Sequence, residues 1–293
     1  MDMRYNLFAI LSITCLLASC SADGDKDMFD VARTGYTLFE ADFEAVDMDG
    51  DNFEGVWDKD LAIGVFGSEA GENVKYTLKN AFDGKPVGEF YGALVEGDRI
   101  MAYCPYSEDF DPDGGMTYTL DPNQSYVQGT TVLEQFYKYA GRYMYAFSSS
   151  DNKLRFSYAS GVLAVRIGYP EVFRVTGLKL VSEDAGIAGT GMVESDMTVS
   201  FGDGKLTRVV LQCEDAIDSK AEDGALTIFP IVLPSGKYEG VKLVIETGDR
   251  DDVIYNLDSF EIRPVTARDY TMTEVVIAGG LGGFDIVGGL EFE

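Results

Sequence analysis

Cys20 is the cysteine whose neighbours give it a chemistry. It closes the run Leu17-Ala18-Ser19-Cys20 after an apolar stretch from Leu7 to Ala18, broken only by Ser12, Thr14 and Cys15 and preceded by Asp2 and Arg4. A short charged start, an apolar core of this length and small residues before a cut make a secretory signal, too short for a membrane span. A cysteine directly after the cut makes it a bacterial lipoprotein signal, in which the thiol takes a diacylglyceryl group and the freed amine is acylated. Several acyl chains on one residue hold a protein on a membrane, where a single chain gives only marginal binding. The competing reading is an ordinary secreted protein with a chance cysteine. Cys20 is expected to carry lipid, which makes the chain exported and membrane-tethered.

The remaining chemistry is sparse. Cys15 leaves with the signal, so Cys104 and Cys213 are the other two of the four cysteines. An oxidising compartment would let them pair, but both lie in apolar strand-like runs, which suit buried free thiols. Histidine is absent. That excludes a Ser-His-Asp or Cys-His nucleophile, a histidine-bound zinc and a histidine general base. Paired carboxylates, as in glycosidases, need no histidine, yet no spacing singles out a pair among 50 acidic residues. The chain is expected not to be an enzyme and to hold no cofactor.

Two acidic clusters have part of a calcium-loop spacing. Asp109, Asp111 and Asp113 alternate before Gly114, but Leu120 stands where the twelfth ligand belongs. Asp47, Asp49, Asp51 and Asp58 fall at positions one, three, five and twelve, with Asn52 in place of the glycine at six. Both are expected to be solvated turns, and no metal is expected. Tyr91, Tyr126, Tyr137, Tyr139, Tyr143 and Tyr145 have the makings of a sugar-stacking platform, although strand tyrosines are usually structural.

The formal net charge is −27 and survives removal of residues 1–19, which carry one Asp and one Arg. A chain this acidic has no basic footprint for nucleic acid and no attraction to anionic lipid. After Cys20, Ser21-Ala22-Asp23-Gly24-Asp25-Lys26-Asp27 resembles the acidic export tag of Bacteroidetes surface lipoproteins; the alternative is a plain solvated spacer.

Beyond residue 35 the pattern is β nearly throughout: short apolar or alternating runs rich in β-branched and aromatic residues, separated by turn chemistry. Strands are expected at 61–66, 100–104, 143–147, 162–167, 178–181, 197–201, 206–211, 226–232, 241–245, 253–257 and 260–262. Gly202-Asp203-Gly204 and Gly248-Asp249-Arg250-Asp251 read as hairpin turns, and the convincing helix is short, around Thr131 to Tyr139. About 240 residues of such strands exceed one ordinary sandwich. The expected division is a signal peptide (1–19), an acidic tether (20–33), β-sandwich domains at 34–152 and 153–275 split at the polar run 148–152, and a tail (276–293).

The tail reads as a period-two strand on a hinge. Phe284, Ile286, Gly288, Leu290 and Phe292 take every second position behind Gly279-Gly280-Leu281-Gly282-Gly283. A hinged strand at a free end suits strand addition to an open sheet edge; the alternative is that it completes its own domain. Too little chain follows these glycines for a nucleotide-binding loop and its helix. The doubled glycines favour exchange, with Phe284, Ile286, Leu290 and Phe292 as the inserted side chains.

Three motifs resemble the fimbrillins. Trp57-Asp58-Lys59-Asp60-Leu61-Ala62-Ile63-Gly64-Val65-Phe66 is similar to their "W, two residues, D, then I-G-V-F" opening. Ala102-Tyr103-Cys104-Pro105-Tyr106 resembles their "A-Y-Y-P-Y" strand with Cys104 for a tyrosine. Leu154-Arg155-Phe156-Ser157-Tyr158-Ala159-Ser160-Gly161-Val162-Leu163 resembles the strand opening their second domain, without a frequent histidine at Tyr158. The resemblance implies two tandem transthyretin-like β-sandwiches in an adhesive subunit of type V pili on the outer membrane, with other fimbrial subunits and host or bacterial surface ligands as partners. The other class is a monomeric surface lipoprotein that binds glycan or host protein.

The resemblance also implies maturation by a trypsin-like protease that frees a first strand and opens a groove for a neighbour's tail. The expected first strand here is Tyr36 to Phe43, with Tyr36 and Leu38 on one face. Between it and Leu61 the one basic residue is Lys59, and Arg33, the candidate cleavage site, lies upstream. A chain that keeps its first strand and lipid points to an anchor at the fibre base. A first strand at Met28 to Val31 would instead make Arg33 a maturation site and the chain a stalk subunit.

Overall fold

The computed structural model describes residues 36–42, 57, 60–67, 72–81, 87–97, 99–110, 115–141, 143–148, 153–168, 171–194, 198–220, 224–264, 272–278 and 284–290. The fold is all-β, with one short helix among the described residues. In chain order the elements are β1 (Tyr36–Asp42), β2 (Ala62–Gly67), β3 (Val74–Ala81), β4 (Val87–Ala93), β5 (Ile100–Cys104), β6 (Met116–Leu120), β7 (Asn123–Tyr126), α1 (Val132–Tyr139), β8 (Met144–Ser148) and β9 (Lys153–Tyr158). There follow β10 (Ser160–Gly168), β11 (Arg174–Ser182), β12 (Ala188–Val193), β13 (Val199–Ser200), β14 (Lys205–Leu206), β15 (Arg208–Asp218) and β16 (Ile228–Pro234). The last are β17 (Gly236–Tyr238), β18 (Val241–Thr247), β19 (Val253–Asn256), β20 (Phe260–Ile262), β21 (Met272–Ala278) and β22 (Phe284–Leu290).

The first strands close into a barrel in the order β1-β4-β3-β2-β5-β8-β9. Its interior is aromatic, with Phe39, Tyr76, Phe90 and Phe156 all buried, while Tyr103 and Tyr145 are buried on the opposite face of the same strands. Two of the sequence motifs meet here. Gly64 of β2 is the register partner of Tyr103 of β5, and a Cβ on Gly64 would stand 1.9 Å from the Tyr103 ring. The glycine is needed because the tyrosine lies across it, a close approach that a strand otherwise resists. The Tyr103 hydroxyl lies within hydrogen-bonding distance of Asn73 Oδ1 (3.0 Å) and the Ser107 carbonyl (2.9 Å), and its ring stacks on Phe110 at 3.8 Å. Phe110 thereby ties the loop after β5 to the core.

Two further sheets run β16-β10-β21-β22 and β19-β18-β11-β15-β7. The polar run 148–152 falls between β8 and β9, which pair with each other (Met144↔Tyr158, Ala146↔Phe156). The sheets therefore do not change at residue 152. They change at Ala159, the single residue between β9 and β10, where the Tyr118 and Ser160 hydroxyls share a buried 2.8 Å hydrogen bond. The run opening at Leu154 is a barrel strand. Residues 116–126 also cross the expected division: β6 pairs with β12 and β7 runs parallel to β15.

Helix α1 begins at Thr131, whose hydroxyl accepts from the Glu134 N–H while the Glu134 carboxylate accepts from the Thr131 N–H. That reciprocal cap satisfies two donors the first turn leaves open. Phe136 and Gln135 face inward, and the helix covers β16 and β10.

The Gly248–Asp251 run is a hairpin turn between β18 and β19. Gly202-Asp203-Gly204 is not one. The residues on both sides of it, β13 and β14, pair with the same strand, β12 (Met192↔Ser200, Ala188↔Leu206). It is an excursion within one interrupted strand, held by the Lys205 N–H donating to the Gly202 carbonyl at 3.1 Å.

Candidate functional site

β1 fills one place in the barrel ring. It pairs antiparallel with β4 over its whole length (Tyr36↔Ala93 to Asp42↔Val87) and parallel with β9 over three residues (Glu40↔Lys153, Ala41↔Leu154, Asp42↔Arg155). Its two described side chains, Phe39 and Ala41, are both buried. Phe39 lies 5.4 Å from the Tyr76 ring. The strand thus sits in a slot whose walls are β4 and β9.

Trp57 bridges those walls from inside. Its indole is 4 % exposed and meets Phe90 of β4 at 4.9 Å and Phe156 of β9 at 5.4 Å, both edge-to-face. Such ring pairs add about 0.5–1.5 kcal/mol each beyond their burial. In sequence Trp57 stands on the β2 side of the segment joining β1 to the barrel.

At the other end of the chain, β22 pairs antiparallel with β21 (Phe284↔Ile277, Ile286↔Val275, Leu290↔Met272), and β21 runs parallel to β10. The tail strand therefore stands at one edge of the β16-β10-β21-β22 sheet. Its register shifts by one residue between Val287 and Leu290, around Gly288-Gly289. The unbroken period of two read from the sequence is interrupted by a bulge that glycines permit.

The opposite edge of the same sheet is covered. Gln124 donates from Nε2 to the Val232 carbonyl of β16 at 2.8 Å and accepts from the Val232 N–H at 3.0 Å. A side-chain amide here takes the place of a neighbouring strand.

Cys20, Arg33 and Phe292, and the hinge at 279–283, lie outside the described residues. Cys104 and Cys213 are buried in different sheets and do not pair with each other, and burial pushes the Cys213 thiol up to about 11. Of the six tyrosines, Tyr126 and Tyr145 are buried and Tyr91 is exposed, so they form no single platform. The Tyr145 hydroxyl donates to the Val193 carbonyl at 3.0 Å, and desolvation raises its pKa. Among the described residues no group of three or more acidic or cysteine side chains could hold a metal, and no helix is long and apolar enough to cross a membrane. The sequence reading missed Trp57 as a bridge; its position just ahead of β2 was the available signal.

No family model matches the chain, and no curated protein matches it. It is similar to solved structures of fimbrial and candidate cell-adhesion proteins. One is a candidate cell-adhesion protein of Bacteroides ovatus, at 13% identity and TM-score 0.48, covering 88% of this chain and 99% of that one. A second is the C-terminally truncated tip fimbrial protein of Porphyromonas gingivalis, at 12% identity and TM-score 0.48, covering 85% and 96%. A third is a fimbrial assembly protein of Parabacteroides distasonis, at 8% identity and TM-score 0.39, covering 85% and 93%.

Proposed function

We propose that this chain is a surface lipoprotein, held on the outer membrane through Cys20, that serves as a structural subunit of a fimbria and assembles by strand exchange. The observation that carries the reading is β1, an N-terminal strand occupying one replaceable place in the ring between β4 and β9. The hinged, alternating tail supplies the complementary part, a strand able to leave its edge position and fill such a place in a neighbour. The motifs around Trp57 and Tyr103 and the lipoprotein signal agree with it. The role is structural and adhesive, not catalytic.

β1 begins at Tyr36, so a cut after Arg33 would release the lipid and leave the slot filled. That favours an anchor subunit, which keeps its own first strand and gives its tail to the next subunit. The competing reading, a monomeric binder of glycan or host protein, draws on the pairing of β22 with its own β21.

Immunogold electron microscopy of sheared surface material tests the choice. Label on filaments is expected; label absent from every filament, with glycan binding by the monomer, contradicts the fimbrial reading. Mass analysis of the filament-derived N-terminus tests the anchor. A lipid-blocked Cys20 is expected, and a start at Thr34 or within residues 46–60 contradicts it.

A further inference from the structure

The slot between β4 and β9 is shallow at one position. Ala41 of β1 stands directly opposite Gly88 of β4. A Cβ built on Gly88 would come within 3.0 Å of Trp57 Cδ1 and 2.8 Å of Leu78 Cδ1. Directly opposed residues share a sheet face, with Cβ positions about 4.5–5.5 Å apart. Leu78 and Trp57 together take up the room in front of Gly88, and Ala41, opposed to it on the same face, is small as well. Ala41 is fully buried, and Phe39, two residues earlier on the same face, is large.

The tail strand carries the same signature. Along β1 and just past it, Phe39, Ala41 and Phe43 run large, small, large at every second position; in the tail Ile286, Gly288 and Leu290 do the same. With Gly288 set on Ala41 in the same chain direction, Ile286 falls on Phe39, Leu290 on Phe43 and Phe284 on Thr37. Gly289 is the other small residue that could be set there, but that register would turn Asp285 and Glu291 inward, and a buried unpaired carboxylate is costly.

We infer that Trp57 and Gly88 make this slot accept only strands carrying a small residue over the indole, and that the tail of a second copy fits it with Gly288 in the place of Ala41. The tail half rests on the strand-exchange reading; the β1 half does not. In an anchor subunit β1 keeps the slot, and the tail enters a slot of the same kind on its neighbour.

The test uses the full chain with a specific protease site placed in the segment 43–56, cut after folding so that β1 is held without a tether. Peptides of residues 34–44 and 281–293 then compete with a labelled β1 peptide for the slot. Ala41→Leu in the first and Gly288→Leu in the second should each weaken binding about tenfold or more, the effect of overfilling a packed position. Glycine is the poorer strand former, so β propensity alone predicts that Gly288→Leu binds better. On a Trp57→Ala barrel both penalties should shrink; if that barrel does not fold, the peptide series on the native barrel still decides. Leucine peptides that bind as well as their parents overturn the inference. A tail peptide that enters the slot yet tolerates Gly288→Leu overturns the register and leaves the exchange reading standing. A β1 peptide that obeys the rule beside a tail peptide that never enters supports the selectivity of the slot and overturns the tail's assignment to it.

Discussion

β1 and β22 are both seven-residue strands near the ends of the chain, yet they are held differently. β1 has a partner on each side and buries Phe39 and Ala41 in the barrel; among the described residues β22 has one partner and stands at a sheet edge. Each backbone hydrogen bond adds about 0.5–1.5 kcal/mol net, so moving an edge strand into a two-sided slot gains a second ladder as well as side-chain burial. In this arrangement removing the first strand breaks two ladders, and removing the last breaks one. The sheet that carries β22 shows the same asymmetry within itself. Its β16 edge is closed by Gln124, while the ladder ends at β22 on the other.

The largest effect should separate the two strands outright. Removing the chain through Asp42 should abolish cooperative barrel unfolding, because it opens the ring and empties the Phe39 site. Removing residues 279–293 should leave a folded monomer that cannot join fibres; scanning calorimetry and fibre pull-down read both. Unfolding on tail removal would make β22 an internal strand and erase the contrast. Next, Trp57→Ala should cost about 3–5 kcal/mol in urea melts, the range for deleting a buried aromatic. Ile286→Ala should change monomer stability by no more than about 0.5 kcal/mol while impairing assembly.

A smaller effect tests the covered edge. Gln124→Met should cost about 1–3 kcal/mol, the penalty for leaving the Val232 N–H and C=O buried without partners. Smallest is the α1 cap. Thr131→Ala should cost about 1 kcal/mol, and the Glu134 half of the cap should depend on pH. Hydrogen bonds from the Thr131 N–H and hydroxyl hold the Glu134 carboxyl below its ordinary 4.5. Its contribution is therefore present above that value and fades as pH falls through the lower folded value. Melts of the native chain and Glu134→Gln should differ at pH 7 and converge in acid.

How much of this was legible in the sequence depended on whether a signal was local. The strand at Ile100–Cys104, the helix after Thr131 and the hairpin at Gly248 carry their own period, cap or turn residues, and each stands where its residues predict. β12 does not announce itself. Ala188-Gly189-Thr190-Gly191 has almost no β propensity, and its glycines serve a neighbour that no local rule reveals: the Gly204 carbonyl stands 2.3 Å from where a Gly189 Cβ would be. The 202–204 turn misread as a hairpin for the same reason, since its partner is β12 and not the run beside it. The candidate site divided likewise. β1 was placed within a residue, but its buried phase follows from the β4 and β9 walls, which lie far along the chain. The role of Trp57 between Phe90 and Phe156 is a purely tertiary fact.

Hydrogen–deuterium exchange tests the central claim most directly, comparing the lipid-free monomer with intact surface fibres. The account predicts that amides of residues 284–290 exchange much faster than those of β1 in the monomer and become strongly protected in the fibre, while β1 stays protected in both. A tail already as protected as β1 in the monomer, or unchanged on assembly, would contradict it.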